Sequence, residues 1–333
     1  MLPELVALVL LVALTAYALT GGADFGGGVW DLFASGPRKH QQRKLIERAI
    51  APIWEANHVW LILMVVVLFV ALPSAYAAIS TALHIPLLLM LIGIVLRGAA
   101  FVFRSYDPSG ADPKGWRLTF AIASLVSPLF LGVVLGAVVA GDLGVDPVTL
   151  DVTTDFVSAW WGPFPFAVGL FVLSLFAWLA AVYLTVEVRD ADPDADVLRE
   201  DFRRRAIFAG FAAGAVSLVV LILAFEHAPT LAAALSRPAF IAIQIAGALL
   251  GLAAIFALYR RRYRLARPLA VSQVALIVLG LGFAQWPHVI APDITFARAL
   301  APESVVAPML IALAIGLPPL LVALAWLYRV FKK

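Results

Sequence analysis

The stretch IWEANHVWLILMVVVLFVALP, Ile53 to Pro73, decides the fold of this chain. From Val59 to Leu72 it carries no charged side chain, and with its flanks it reaches the ~20 mainly apolar residues that a helix needs to cross a bilayer. Yet its first turns, Trp54 to Leu61 (WEANHVWL), hold a carboxylate, the chain's only asparagine and a histidine. An ionisable group inside a span is costly and marks a functional site by default. The segment therefore poses two questions: what kind of protein it crosses the membrane in, and what surrounds those three side chains.

Eight more stretches of the same kind lie at about 3–31, 78–103, 117–140, 160–187, 206–226, 239–259, 268–288 and 305–330, separated by charged or Pro/Gly-rich breaks. Hydrophobic residues make up 63% of the chain and charged residues 14%, which excludes a soluble domain. The runs do not alternate polar with apolar residues, which excludes a strand-built barrel. The expected fold is all-α: a polytopic membrane protein with about nine transmembrane helices. No break is long enough for a soluble domain, so residues 1–333 are expected to form one integral membrane domain. Helices 1 to 4 and 5 to 8 would share orientations, which permits two similar four-helix halves plus one extra helix. The first run has Glu4 and no basic residue ahead of it, unlike a secretory signal, and is expected to remain as helix 1.

Orientation follows from the basic residues, because cytoplasmic loops retain Lys and Arg. Alternate breaks carry them: Arg38, Lys39, Arg43, Lys44 and Arg48; then Arg104, Lys114 and Arg117; then Arg189, Arg199, Arg203, Arg204 and Arg205; then Arg260, Arg261, Arg262, Arg264 and Arg267; finally Arg329, Lys332 and Lys333. The opposite breaks hold only Arg237 and Arg298, and Arg97 falls within a span. The N-terminus is thus expected outside and the C-terminus in the cytoplasm. These arginines set topology and are not a nucleic-acid surface.

Three motifs have a chemical look. GGADFGGG, Gly21 to Gly28, follows a helix and lacks the Gly-Lys-Ser/Thr ending of a phosphate loop, so close helix packing through Gly22 and Gly26 is the better reading. DADPDADVLRED, Asp190 to Asp201, spaces aspartates like a calcium loop but has Pro193 and Ala195 where such a loop must turn on glycine; it reads as a solvated linker. No cysteine is present, so there is no thiolate cluster, and the scattered histidines suggest no metal site.

The remaining cluster is the one in the opening stretch. At ~100° per residue Glu55 and His58 lie about 60° apart around the helix, and Asn57 about 160° from Glu55, with Trp54 and Trp60 in further directions. No side of this turn suits lipid, so protein is expected around it. Tyr17, Asp24 and Asp31, spaced by seven, form a polar stripe on helix 1, and Arg97 in helix 3 is expected to need a carboxylate partner. Asp24, Glu55, His58 and Arg97 are thus placed at similar depth on the cytoplasmic side.

These residues carry a family resemblance. Gly22-Ala23-Asp24-Phe25-Gly26, Pro52-Ile53-Trp54-Glu55-Ala56-Asn57-His58-Val59-Trp60-Leu61, Arg97-Gly98 with Phe101-Val102-Phe103-Arg104, and Gly316-Leu317-Pro318 occur in order and in the expected helices. The chain resembles subunit II of the cytochrome bd-type quinol oxidases over essentially its whole length. The family commonly has Trp-Asp-Gly-Asn-Glu-Val-Trp in the second motif; Glu55, Ala56 and His58 depart from it in the manner of the cyanide-insensitive branch.

The resemblance implies a respiratory complex of the bacterial inner membrane that oxidises quinol and reduces dioxygen to water. The haems and the quinol site would lie in subunit I, with no cofactor or metal bound by this chain. Subunit I, small accessory subunits, lipid and quinone are the implied partners. The matching positions Asp24 and Glu55 would supply a cytoplasmic proton path, which His58 could extend, with Asn57, Arg97, Trp54 and Trp60 supporting it. Two rival readings remain. A secondary transporter predicts broken helices and a pocket at the midplane, whereas this cluster lies off it. A purely structural subunit predicts that the carboxylates can be replaced without loss of turnover.

Overall fold

The computed structural model describes residues 1–50, 54–105, 114–146 and 149–331. Pro52 and Ile53 of the second motif, and Lys332 and Lys333, lie outside the described residues. Fourteen α-helices and one small hairpin follow in order among the described residues: α1 (Leu2–Leu32), α2 (Lys39–Ile50), α3 (Trp54–Asn57), α4 (Val59–Ala71), α5 (Pro73–Ala82), α6 (His84–Ser105), α7 (Lys114–Ala140), α8 (Pro163–Glu187), α9 (Ala195–His227), α10 (Pro229–Leu235), α11 (Pro238–Tyr259), α12 (Tyr263–Gln285), β1 (His288–Ile290), β2 (Ile294–Thr295), α13 (Phe296–Ala299) and α14 (Glu303–Phe331). Nine segments among them are long and apolar enough to cross a membrane, with α3 and α4 together making the second. The all-α, nine-span expectation holds.

Two of the differences from the sequence reading bear on the site. The apolar run from 78 is divided by α5, so the third span begins at His84. Pro73 starts α5, where its missing N–H costs nothing in a first turn. The opening stretch is likewise not one continuous helix: α3 closes after a single turn and α4 restarts beyond His58.

At the centre lies α8, the most buried span, whereas α14 is the least buried. It packs on α1, α7 and α9. The approach of α1 to α8 is glycine-dependent as expected: a Cβ on Gly22 would come within 2.6 Å of the Phe176 ring, and one on Gly26 would collide with the Phe176 backbone carbonyl. Trp30 then ties the helices by donating its indole N–H to the Ala177 carbonyl at 2.8 Å. With no hydrophobic drive between helices in lipid, such close backbone contact is what holds them.

Ion pairs gather the basic segments at one end. Arg38 makes a two-pronged contact with Asp201, both bonds 2.9 Å, and Arg48 makes another with Asp192, both 2.7 Å. Gln42 also donates to Asp201 at 2.9 Å. The aspartate run after α8 is therefore more than the solvated linker of the sequence reading. Its carboxylates hold the amphipathic α2 across the arginine-rich end of the bundle, with Leu45, Ile46 and Ile50 turned into the core. The Arg48 guanidinium, hydrogen-bonded to Asp192, holds that carboxyl down at about 2.

Candidate functional site

The polar stripe of α1 faces inward: Tyr17, Asp24 and Asp31 are all buried. Asp31, at the arginine-rich end, meets Arg104 at 3.3 Å and Arg43 at 4.0 Å. Asp24, two turns deeper, meets Asn57. The Asn57 side-chain amide donates to Asp24 Oδ2 and to the Thr20 carbonyl at 3.4 Å, while its Oδ1 accepts the Tyr328 hydroxyl at 2.7 Å. One buried amide thus joins α1, α3 and α14. It orients a carboxylate oxygen that would otherwise be costly to bury.

The single turn of α3 decides which residue plays that part. Glu55 and Asn57 point about 160° apart at ~100° per residue, so when Asn57 faces Asp24, Glu55 must face away. Glu55 is indeed exposed and Asn57 buried. The expectation that protein surrounds every side of this turn is corrected to that extent: within this chain, the Glu55 side is open.

His58, half-buried where α3 gives way to α4, has its Nδ1 3.4 Å from the Tyr17 hydroxyl, and its ring lies among those of Tyr17, Phe25 and Trp54, with centroids 5.9, 6.0 and 6.3 Å away. Trp54 also covers Gly98, where a Cβ would meet its ring at 3.0 Å, and Trp60 is buried in the main core. This packing brings α3 and the Arg97-Gly98 pair of α6 together.

Arg97 is 2% exposed, but its surroundings differ from those expected. Its guanidinium stands over the rings of Phe25 at 4.8 Å and Phe120 at 5.5 Å, and Nε and Nη2 find no hydrogen-bond partner among the described residues. The carboxylate contact that the sequence reading required is replaced by two aromatic faces, whose quadrupoles attract a cation. Asp24 still acts on it through space.

A cavity of about 160 Å³ opens on the other side of Asp24, between α1, α2, α8, α12 and α14. Its lining is mainly apolar, with Thr20, Asp24, Tyr183, Glu187, Arg267 and Tyr328 as the polar members. Glu187 and Arg267 pair at 3.7 Å, and the Arg267 guanidinium rests over the Tyr183 ring at 4.7 Å. Sequence reasoning named neither Tyr183 nor Tyr328 and treated Arg267 only as a topology marker. Tyrosines near the ends of spans are a general feature of membrane proteins, so nothing in their spacing distinguished these two.

Among the described residues, no group of three His, Asp or Glu side chains is placed to hold a metal ion. His84 bonds the Thr81 carbonyl at 2.9 Å and stacks edge-on against Phe156, and His227 lies beside Glu226.

Comparison with known proteins gives four findings. The profile of the family described as cytochrome bd terminal oxidase subunit II matches residues 2–331. The cytochrome bd-I ubiquinol oxidase subunit 2 of Escherichia coli (strain K12) is 33% identical over 130 residues, 39% of this chain and 34% of that protein. The cytochrome bd ubiquinol oxidase subunit 2 of Bacillus subtilis (strain 168) is 32% identical over 120 residues, 36% of this chain and 35% of that protein. The matched stretch therefore spans about a third of the length of these relatives. A solved chain of the bd oxidase from Geobacillus thermodenitrificans shares the fold, with a TM-score of 0.77 at 21% identity over 99% of both chains.

Proposed function

The chain belongs to the cytochrome bd terminal oxidase subunit II family, and from that premise we propose that it is the membrane subunit that brings cytoplasmic protons to a quinol-oxidising, dioxygen-reducing partner. The complex would sit in the bacterial cytoplasmic membrane, with the arginine-rich end of this chain in the cytoplasm as the basic-residue bias requires. Haem and quinol chemistry is assigned to subunit I. Reduction of dioxygen to water takes up as many protons as electrons, so a buried reaction centre needs a hydrophilic path to water.

One observation carries this reading. Glu55 is exposed within a spanning segment, on the face of α3 opposite Asn57. Ile62, Val66 and Phe69 of α4, which follows directly, are exposed as well. An acidic side chain facing lipid costs up to ~2.5–3.5 kcal/mol at the centre of a bilayer, and covering it with a second protein removes that cost. Glu55 is thus suited to hand protons across a subunit boundary. Asp24, buried behind Asn57, is suited to receive them from the cytoplasmic side, and His58 borders the same turn. Asn57 orients Asp24, Arg97 supplies a fixed positive charge nearby, and Trp54 and Trp60 seal the turn from lipid.

The test is quinol-driven oxygen uptake by the purified complex, with proton uptake measured in liposomes. Glu55→Gln and Asp24→Asn should leave assembly and haem spectra intact and slow both rates, while Glu55→Asp should be mild. Wild-type rates in both neutral variants would make the cluster a static network and return the chain to a purely structural role.

A further inference from the structure

We propose that protons reach Asp24 through the cavity between α1, α2, α8, α12 and α14, with Glu187 at its mouth as the collecting carboxylate and Arg267 as the residue that positions it. This rests on the preceding reading of Asp24 as a proton carrier and adds the way in.

The cavity has the size and the lining to hold water. Its volume of about 160 Å³ exceeds the ~10–15 Å³ that one water molecule needs on the same measure, and buried water persists where 2–4 polar partners are within reach. Asp24, Thr20, Tyr183, Tyr328 and the Glu187–Arg267 pair are the polar residues that line it, although the three hydroxyls each already donate to a protein acceptor. Asp24 is 5% exposed, whereas Glu187 is 20% and Arg267 35% exposed. Water filling the cavity would link Glu187, the more exposed carboxylate, to the buried Asp24. At 3.7 Å the Glu187–Arg267 pair lacks the ~2.7–2.9 Å bond of a closed charge pair. Charge and the Tyr183 ring hold Arg267 in place, with Glu187 beside it on the cavity wall.

The chain contains no cysteine, which makes a single introduced thiol a clean probe in the assembled complex. Ala23→Cys, on the cavity wall, should react with a small cationic methanethiosulfonate added from the arginine-rich side, read on this subunit's own band. Glu187→Gln should slow oxygen uptake at saturating quinol by about tenfold or more, increasingly as pH rises and bulk protons become scarce. Small weak acids such as formate should restore part of the rate, and Glu187→Asp should stay near wild type. Asp24→Asn separates the two readings. If it is slow while Glu187→Gln keeps the wild-type rate and pH profile, the inlet is overturned and the role of Asp24 stands. A wild-type rate in Asp24→Asn overturns both. An inert Ala23→Cys, or a slow Glu187→Gln that responds to neither pH nor weak acid, shows that Glu187 acts through structure and overturns the inlet.

Discussion

Replacing Asn57 by leucine tests what holds Asp24 in place. The side chains are close in volume, so the change removes three hydrogen bonds, to Asp24, Thr20 and Tyr328, and creates little cavity. Two estimates of the cost compete. Hydrogen bonds between helices in membranes average ~0.6 kcal/mol and reach ~1.7, so bonds that merely hold helices together would cost about 2 kcal/mol in sum. If Asn57 instead satisfies a buried carboxylate, each orphaned polar group adds ~1–3 kcal/mol, more for a charged one, and the loss rises to about 4 kcal/mol.

Unfolding of a multi-subunit membrane protein is read as a rate, so the assay is the half-life of the purified complex at one fixed temperature. A loss of about 4 kcal/mol shortens it by up to roughly a thousandfold where all of it appears in the unfolding rate, against about thirtyfold for 2 kcal/mol. Tyr328→Phe closes a cycle: in the wild-type background it should shorten the half-life, and in the Asn57→Leu background it should be neutral or lengthen it, because the hydroxyl is by then an orphan. Additive effects of the two substitutions, or an Asn57→Leu complex as durable as wild type, would refute the picture of one amide bridging α1, α3 and α14.

Other consequences can be checked singly. Gly26→Ala should destabilise the α1–α8 contact by about 1–3 kcal/mol, since its Cβ would meet the Phe176 carbonyl, which is backbone and cannot swing aside; the half-life assay reads it, and no change would mean that the helices are not in register there. The Asp192–Arg48 contact should hold α2 at neutral pH and through the ordinary carboxylate range near 4. Because the folded value is depressed, to about 2, its stabilising contribution is present above the unfolded value and fades as pH falls toward 2. Hydrogen exchange in α2 should rise over that window, and in Asp192→Asn it should already be raised at neutral pH. A reporter inserted between Arg38 and Arg48 should be cytoplasmic and one at Gly141 outside; the reverse would place Asp24 and its cavity on the wrong side for proton uptake.

Much of this architecture was legible because lipid leaves a chain few choices. Runs such as 239–259 needed only length and composition to be assigned, and α11 occupies Pro238–Tyr259. The breaks were harder. Leu72, Pro73 and the alanines after them are apolar enough to look like span, and only a proline suited to starting a helix marks α5 as separate. The ion pairs of Asp190 to Asp201 were illegible for another reason. Their partners Arg38 and Arg48 lie more than a hundred residues away, and charge alone does not say whether an aspartate meets water or a guanidinium.

The site shows the same limit at closer range. Spacing correctly put about 160° between Glu55 and Asn57, and correctly placed Tyr17, Asp24 and Asp31 on one face. It could not say which side of α3 met that face. Asp24 and Glu55 match the positions of the family's proton path and fall at similar depth, yet two carboxylates in contact repel, whereas an amide can donate to the one and leave the other outside. Arg97 follows the same logic. Asp24 already receives the Asn57 amide and Glu55 points away, so the guanidinium settles on the faces of Phe25 and Phe120. The result keeps Arg97 close enough to act on Asp24 without a bond that would lock it. Arg97→Lys should therefore be poorly tolerated despite its charge, because a compact, strongly hydrated ammonium is a poor substitute for a guanidinium that faces two aromatic rings. Slower oxygen uptake in Arg97→Lys with normal haem spectra is the expected result. A wild-type rate and half-life would mean that charge alone is needed at this position and that the ring contacts are incidental.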